Sequence, residues 1–155
     1  MDAVKQLKAI YLFKDLPEAA LKQVAQAAEP RTAQPGEVIV QENRPSDALF
    51  IIRSGSCRVH KEKDGDVQNV VVLGANSYFG EAALLDDAPR SATVTATERT
   101  ELLVLKSAKL KARLDVDHEA GHHVYRALAT SLVRRLRQTT DDLAFARTLA
   151  SERSH

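Results

Sequence analysis

Tyr78-Phe79-Gly80-Glu81-Ala82-Ala83-Leu84-Leu85-Asp86-Asp87-Ala88-Pro89-Arg90-Ser91-Ala92-Thr93-Val94 lies between two strand-like runs and carries the chemistry of this chain. Gly80 lets backbone come close to another group. Glu81 to Leu85 suits one helical turn, whose free N–H groups form an anion site. Ala82 and Ala83 keep that turn sterically open, and Pro89 sets the chain direction before Arg90. The planar fork of Arg90 suits two phosphate oxygens, and Ser91 adds a hydroxyl beside it. Glu81 repels a phosphate, so its natural partner is a hydroxyl donor on the same ligand. An anion and a sugar hydroxyl side by side describe a nucleotide. The same two side chains also suit a plain Glu81–Arg90 ion pair, worth little if exposed.

Outward from that stretch the hydrophobic period is that of short strands. Val38-Ile39-Val40 and residues 49–52, 57–60, 67–73, 92–96 and 102–105 are β-rich runs. Between them stand Pro35-Gly36, Asn43-Arg44-Pro45-Ser46-Asp47, Ser54-Gly55-Ser56 and Asp64-Gly65-Asp66. Short strands so punctuated predict a small antiparallel roll or barrel, and Asp64-Gly65 predicts a hairpin. Before them, Val4, Leu7, Ile10 and Leu12-Phe13 form one helical face; Leu16-Pro17-Glu18 restarts a helix, and Leu21, Val24 and Ala28 continue it. After them, Ser107 is placed to cap a short helix running to about Leu114. From His118 to Ala150 there is no proline, and Leu128, Leu132, Leu136, Leu143, Ala146 and Ala150 recur at helical spacing. That predicts a long amphipathic helix, part of which pairs with another helix, plausibly its own copy in a homodimer.

The expected fold is therefore α+β: one domain over 1–155, with N-terminal helices over 1–30, a jelly-roll-like antiparallel β-roll or barrel over 35–106, and C-terminal helices over 107–150. Composition agrees, with 44% hydrophobic and 28% charged residues. A net charge of +1 supplies no strong field toward nucleic acid or an anionic membrane, and no apolar run is long enough to span one. The N-terminus lacks the layout of a secretory signal. Cys57 is alone, which leaves a cytoplasmic protein as the default and Cys57 itself as a small buried hydrophobe.

The quoted stretch resembles the phosphate-binding cassette of the cyclic nucleotide-binding domain family, F-G-E-x-A/G-L-(several)-R-S/T/A-A. The matching residues are Phe79, Gly80, Glu81, Ala83, Leu84, Arg90, Ser91 and Ala92. Phe13-Lys14-Asp15-Leu16 resembles the family's opening helix motif, Pro35-Gly36-Glu37-Val38-Ile39 its first strand, and Leu49-Phe50-Ile51-Ile52-Arg53-Ser54-Gly55 its central strand and turn. Asn43 stands where relatives usually carry glycine, and asparagine is the next-best residue for a left-handed turn. The resemblance implies that Glu81 accepts from the ribose 2′-hydroxyl and Arg90 pairs with the cyclic phosphate. Backbone N–H groups near Gly80, Ala82 and Ala83, with Ser91, complete the phosphate shell. Serine after the cassette arginine tilts the ligand toward cAMP, with cGMP as the alternative. A degenerate member that binds nothing and only dimerises is a further one.

Arg134-Arg135-Leu136-Arg137-Gln138-Thr139-Thr140 is similar to the dimer helix of the bacterial catabolite activator branch. By that match Thr139 meets the base within its own subunit and Thr140 reaches toward the partner's ligand; helix packing is an equally plain role for Thr139. Tyr125, Phe145 and the three arginines are the remaining candidates to cap the base. That branch continues into a helix-turn-helix, whereas this chain stops at His155. The expectation is a non-catalytic sensor with no direct DNA or membrane binding, acting through an unidentified effector protein. His118-Glu119-Ala120-Gly121-His122 fits the zinc-protease pattern H-E-x-x-H. The plausible third ligands are Asp141 and Asp142, and Asp141 lies about 19 residues beyond His122, roughly 28 Å along a continuous helix, so a metalloprotease is disfavoured and no metal or cofactor is expected.

Overall fold

The computed structural model describes residues 2–86 and 89–153, without the side chains of Lys63, Gln68, Asn69, Val70 and Arg153. Asp87 and Ala88 of the cassette stretch lie outside the described residues. Helices α1 (Ala3–Lys8) and α2 (Glu18–Gln26) precede eight strands: β1 (Ala28–Ala33), β2 (Val38–Val40), β3 (Ala48–Ser54), β4 (Cys57–Lys63), β5 (Asp66–Leu73), β6 (Tyr78–Phe79), β7 (Thr93–Ala96) and β8 (Thr100–Lys106). A 3₁₀ turn, Glu81–Leu84, follows β6, and α3 (Ser107–Val116) and α4 (His118–Arg153) complete the chain.

The strands form two antiparallel four-stranded sheets, ordered β1-β8-β3-β6 and β2-β7-β4-β5. They stack as a roll and do not close into the barrel that was the other expectation. The edge strands β2 and β6, three and two residues long, are too short to ladder the sheets into one ring. Strand alternation in β3 and β8 explains the layers. Leu49, Ile51, Leu103 and Leu105 face a core shared with all four helices, while Ala48, Phe50, Ile52 and Leu102 face Val40, Cys57, Val94 and Ala96 of the second sheet. A sheet covered on both faces needs apolar residues at every position, hence the unbroken run 48–52. Cys57 is fully buried there and unpaired, and desolvation pushes its thiol pKa up.

Four local expectations meet corrections or confirmation. The N-terminal helices end at Gln26, and Ala28 to Pro30, read as helical, open strand β1. β1 is an edge strand exposed over most of its length, so it shows no apolar alternation; Pro30 is tolerated because only one side of β1 is paired. Ser107 does not cap α3. Its buried N–H donates to the Asp47 carbonyl at 2.6 Å, which satisfies the helix end with backbone instead. Asp64 and Gly65 take φ of 55° and 84°, the expected hairpin turn, and Asn43 takes 65°, the left-handed state its glycine-like position requires.

Asp117 caps α4, its carboxylate accepting the Ala120 N–H at 3.1 Å. A Cβ at Gly121 would sit 2.7 Å from the Leu114 carbonyl oxygen, so α3 and α4 cross in contact at this point. Gly121→Val is expected to overpack the crossing and cost about 1–3 kcal/mol, read as a lowered Tm in thermal unfolding. An unchanged Tm would mean that the two helices are not in contact there. Beyond Leu128, the last buried residue, α4 leaves the body and every described side chain from Leu132 onward is exposed.

Candidate functional site

Gly80 comes first because the site cannot form without it. Its φ is 85°, and a Cβ would stand 2.6 Å from the Ala48 carbonyl oxygen and 3.1 Å from Arg90 Nη2. Here the cassette crosses β3 at backbone contact. The 3₁₀ turn then buries Glu81, Ala83 and Leu84 and leaves Ala82 exposed. The Ala83 N–H bonds the Gly80 carbonyl at 3.2 Å. Phe79 stacks on Phe50 with ring centroids 5.1 Å apart, and Leu84 packs in the core under the helices. These two anchor the cassette rather than line its open side.

Arg90 is a buried cation, 8% exposed. Its main chain is stitched to the β2–β3 loop: Arg90 N–H donates to the Arg44 carbonyl at 3.0 Å, and Asn43 N–H donates to the Arg90 carbonyl at 2.8 Å. Its Nη2 donates to Ser46 Oγ at 2.6 Å and to the Ala48 carbonyl at 2.9 Å, while its buried Nε–H has no partner among the described residues. Burial pulls the guanidinium pKa down, and the carboxylates of Glu81 and Asp47 pull it back up. Among the described residues both acceptors that hold the group are neutral, so these hydrogen bonds orient the positive charge without cancelling it. A cation so held can receive an anion.

Glu81 does not form the ion pair with Arg90 that the sequence allowed. Its buried carboxylate accepts from Arg135 Nη1 of α4 at 2.7 Å. Tyr78 and Ser131 hydroxyls meet at 3.1 Å, and the Arg134 guanidinium lies 5.5 Å from the Tyr11 ring centre. Together these contacts dock the middle of α4 over the cassette. Burial, foremost, raises the Tyr78 phenol pKa. Thr139 and Thr140 are not brought against Glu81 or Arg90. They lie one turn further along α4, exposed, with hydroxyls donating to the carbonyls of Arg135 and Leu136 at 3.0 and 2.9 Å. Ser91 is exposed and Ala92 half-buried. Tyr125 packs on the helical core, whereas Phe145 is 66% exposed on the far part of α4.

The sequence did not reveal an apolar row across the second sheet. Val40 pairs with Val94, Val94 with Val59, and Val59 with Val71, so all four side chains share one face. Val40 and Val94 are buried, but Val71 is 54% exposed. The row therefore ends in an exposed apolar side chain on β5, one strand beyond the neighbour of β7. Val70-Val71-Val72 reads as any buried strand, and only the register tells which valine faces inward. Arg135, one of the three arginines named as candidates to cap the base, instead meets Glu81, a pairing the sequence did not reveal. His118 and His122 line a shallow groove with Asp115 and Tyr125 at the α3–α4 elbow. Among the described residues no three His, Cys, Asp or Glu side chains are placed to hold a metal ion. Nor is any described helix long and apolar enough to cross a membrane.

The family profile of the cyclic nucleotide-binding domain matches residues 30–117. A cAMP-dependent protein kinase regulatory subunit from Mucor circinelloides f. lusitanicus is 39% identical over 99 residues, 64% of this chain and 23% of that protein. A cGMP-dependent protein kinase from Eimeria tenella is 42% identical over 95 residues, 61% of this chain and 9% of that protein. Both matches thus span about a quarter or less of those relatives. The N-terminal domain of a transcriptional regulator from Streptomyces coelicolor A3(2) superposes with a TM-score of 0.74 at 30% identity, covering 89% of this chain and 94% of that one.

Proposed function

The chain belongs to the cyclic nucleotide-binding domain family, and from that premise we propose that it is a non-catalytic cAMP sensor whose cassette is read out by α4. The observation that carries this reading is the Arg90 cradle: a buried cation held by Ser46 and Ala48 through neutral oxygens, its Nε–H unpartnered. A cyclic phosphate completes Arg90, with N–H groups near Gly80, Ala82 and Ala83, and Ser91, around it. The ribose 2′-hydroxyl donates to Glu81. The purine lies along Val59 and Val71, with Thr139 and Thr140 toward its edge once α4 shifts. Ser91 in place of threonine favours cAMP over cGMP. Competitive displacement of a fluorescent cyclic nucleotide tests the choice: cAMP is expected to displace it at lower concentration than cGMP, and the reverse order would overturn the cAMP assignment.

Arg135 makes the readout physical. A ligand hydroxyl and Arg135 both address the Glu81 carboxylate, so binding alters the hold of the cassette on α4. The ligand shifts α4 only by its preference for one arrangement over the other. The exposed part of α4 favours a homodimer as well. Ala129, Leu132, Leu136, Thr139, Leu143, Ala146 and Ala150 are spaced alternately three and four residues apart, a two-stranded seam. Leu136 and Leu143 are 66% and 51% exposed, so a second copy would cover them. In a parallel pair Asp142 would face the partner's Arg147, opposite charges flanking the seam. Light scattering is expected to report a dimer for the wild type and a monomer for Leu136→Glu with Leu143→Glu; equal masses would overturn the seam. A cytoplasmic location and an effector protein follow as part of the same reading.

A further inference from the structure

The β2–β3 loop and the cassette exchange two main-chain hydrogen bonds, Asn43 to Arg90 and Arg90 to Arg44. Only one side chain of that loop reaches the buried guanidinium: Ser46, whose Oγ lies 2.6 Å from Nη2. Of the loop's two carboxylates, Asp47 is turned outward, 77% exposed and paired with Lys106 at 3.3 Å, and Glu42 accepts the Glu62 N–H at 3.3 Å. The loop thus offers Arg90 a neutral acceptor in hydrogen-bond contact, while Asp47 acts on it only through space. The remaining acceptor, the Ala48 carbonyl, sits under Gly80, where the two backbones leave no room to move. A guanidinium held by one carbonyl can still pivot about that bond. Held by two acceptors on the same nitrogen, it is fixed in plane.

We propose that Ser46 is a positioning residue for phosphate recognition: its hydroxyl fixes the Arg90 guanidinium in the anion-binding orientation without neutralising it. This rests on Arg90 being the phosphate ligand. Serine suits the task because a hydroxyl accepts from Nη2 and remains uncharged. Aspartate here would accept as well, but would cancel the cation that the phosphate needs. Alanine would leave one Nη2 hydrogen without its partner and free the fork to turn.

The test is a double-mutant cycle read by calorimetric titration with cAMP, alongside side-chain NMR of the ligand-free protein. Ser46→Ala is expected to weaken binding about tenfold, the order of a hydrogen bond to a charged group. Ser46→Asp should weaken it more, and Ser46→Thr should restore it. In an Arg90→Lys background, whose ammonium has no plane to orient, Ser46→Ala should change affinity less than about twofold. In the free protein the Arg90 Nη2 hydrogens should give separate, slowly rotating signals that average in Ser46→Ala. Equal weakening in both backgrounds would make Ser46 a loop-shaping residue and overturn the proposal, as would unchanged affinity in Ser46→Ala. The NMR arm needs no ligand: averaged Nη2 signals in the wild type would overturn the orientation claim even if cAMP binds. Absence of wild-type binding with the restricted Nη2 signals present would instead overturn the cAMP reading.

Discussion

Arg90→Ala is expected to weaken cAMP binding at least about 100-fold while shifting the Tm of the free protein by only a few degrees. The two halves have one cause. In the free protein the guanidinium is desolvated and its two described acceptors are neutral oxygens, with Nε–H unpartnered among the described residues, so its burial is costly and its removal relieves that cost. The lost side-chain packing opposes that relief, and the net change in stability is small. With ligand present the same group forms charge-assisted hydrogen bonds to an anion inside a buried site. Truncating such a partner typically costs about 2–5 kcal/mol, at 1.4 kcal/mol per tenfold in affinity. Calorimetry and thermal unfolding on one preparation check both halves. A large drop in Tm with little change in affinity would reverse the assignment and make Arg90 a structural residue.

Gly80→Ala is expected to damage folding and binding together. A left-handed backbone costs a residue with a Cβ about 1–2 kcal/mol. In addition the methyl would stand 2.6 Å from a backbone carbonyl of β3, which cannot yield as a flexible side chain would. Together these predict about 2–4 kcal/mol, roughly 5–15 °C in Tm for a domain of this size. The methyl also lies 3.1 Å from Arg90 Nη2, so the surviving folded protein should bind cAMP at least about tenfold more weakly. Gly36→Ala is the internal control. Gly36 has the same kind of φ, 84°, but its Cβ would meet nothing within 4 Å, so it should show the backbone part alone. Equal Tm losses in the two variants would contradict the close crossing of cassette and β3.

How much of this was legible in the sequence depended on what each feature required of it. The roll, its Asp64-Gly65 hairpin and α4 were readable because turn chemistry and apolar period are local. β1 was not, since an exposed edge strand carries no alternation and Pro30 argues against pairing; only β8 beside it makes the strand. The cap of α3 was misread because the donor's partner, the Asp47 carbonyl, comes from a loop distant in sequence. Within the site, Gly80, Glu81 and Arg90 stood out as residue types whose chemistry is specific. Their partners did not. Ser46 stood in turn punctuation, Arg135 was one of three arginines offered to the base, and Val71 was one residue of a β-rich run. Each acquires meaning from register or tertiary contact rather than from its neighbours in the chain. Thr139 and Thr140 show the converse, since the resemblance marks them while α4 holds them one turn away from the cassette.

The most direct measurement is calorimetric titration of the purified chain with cAMP, and with 5′-AMP as the open-ring comparison. The account predicts saturable heat with cAMP at one ligand per chain, and at least about 100-fold weaker binding of 5′-AMP. The open phosphate carries more charge and no longer presents ribose hydroxyl and phosphate in the one fixed geometry that Glu81 and Arg90 require. No saturable heat with cAMP, or equal affinity for the two nucleotides, would contradict it.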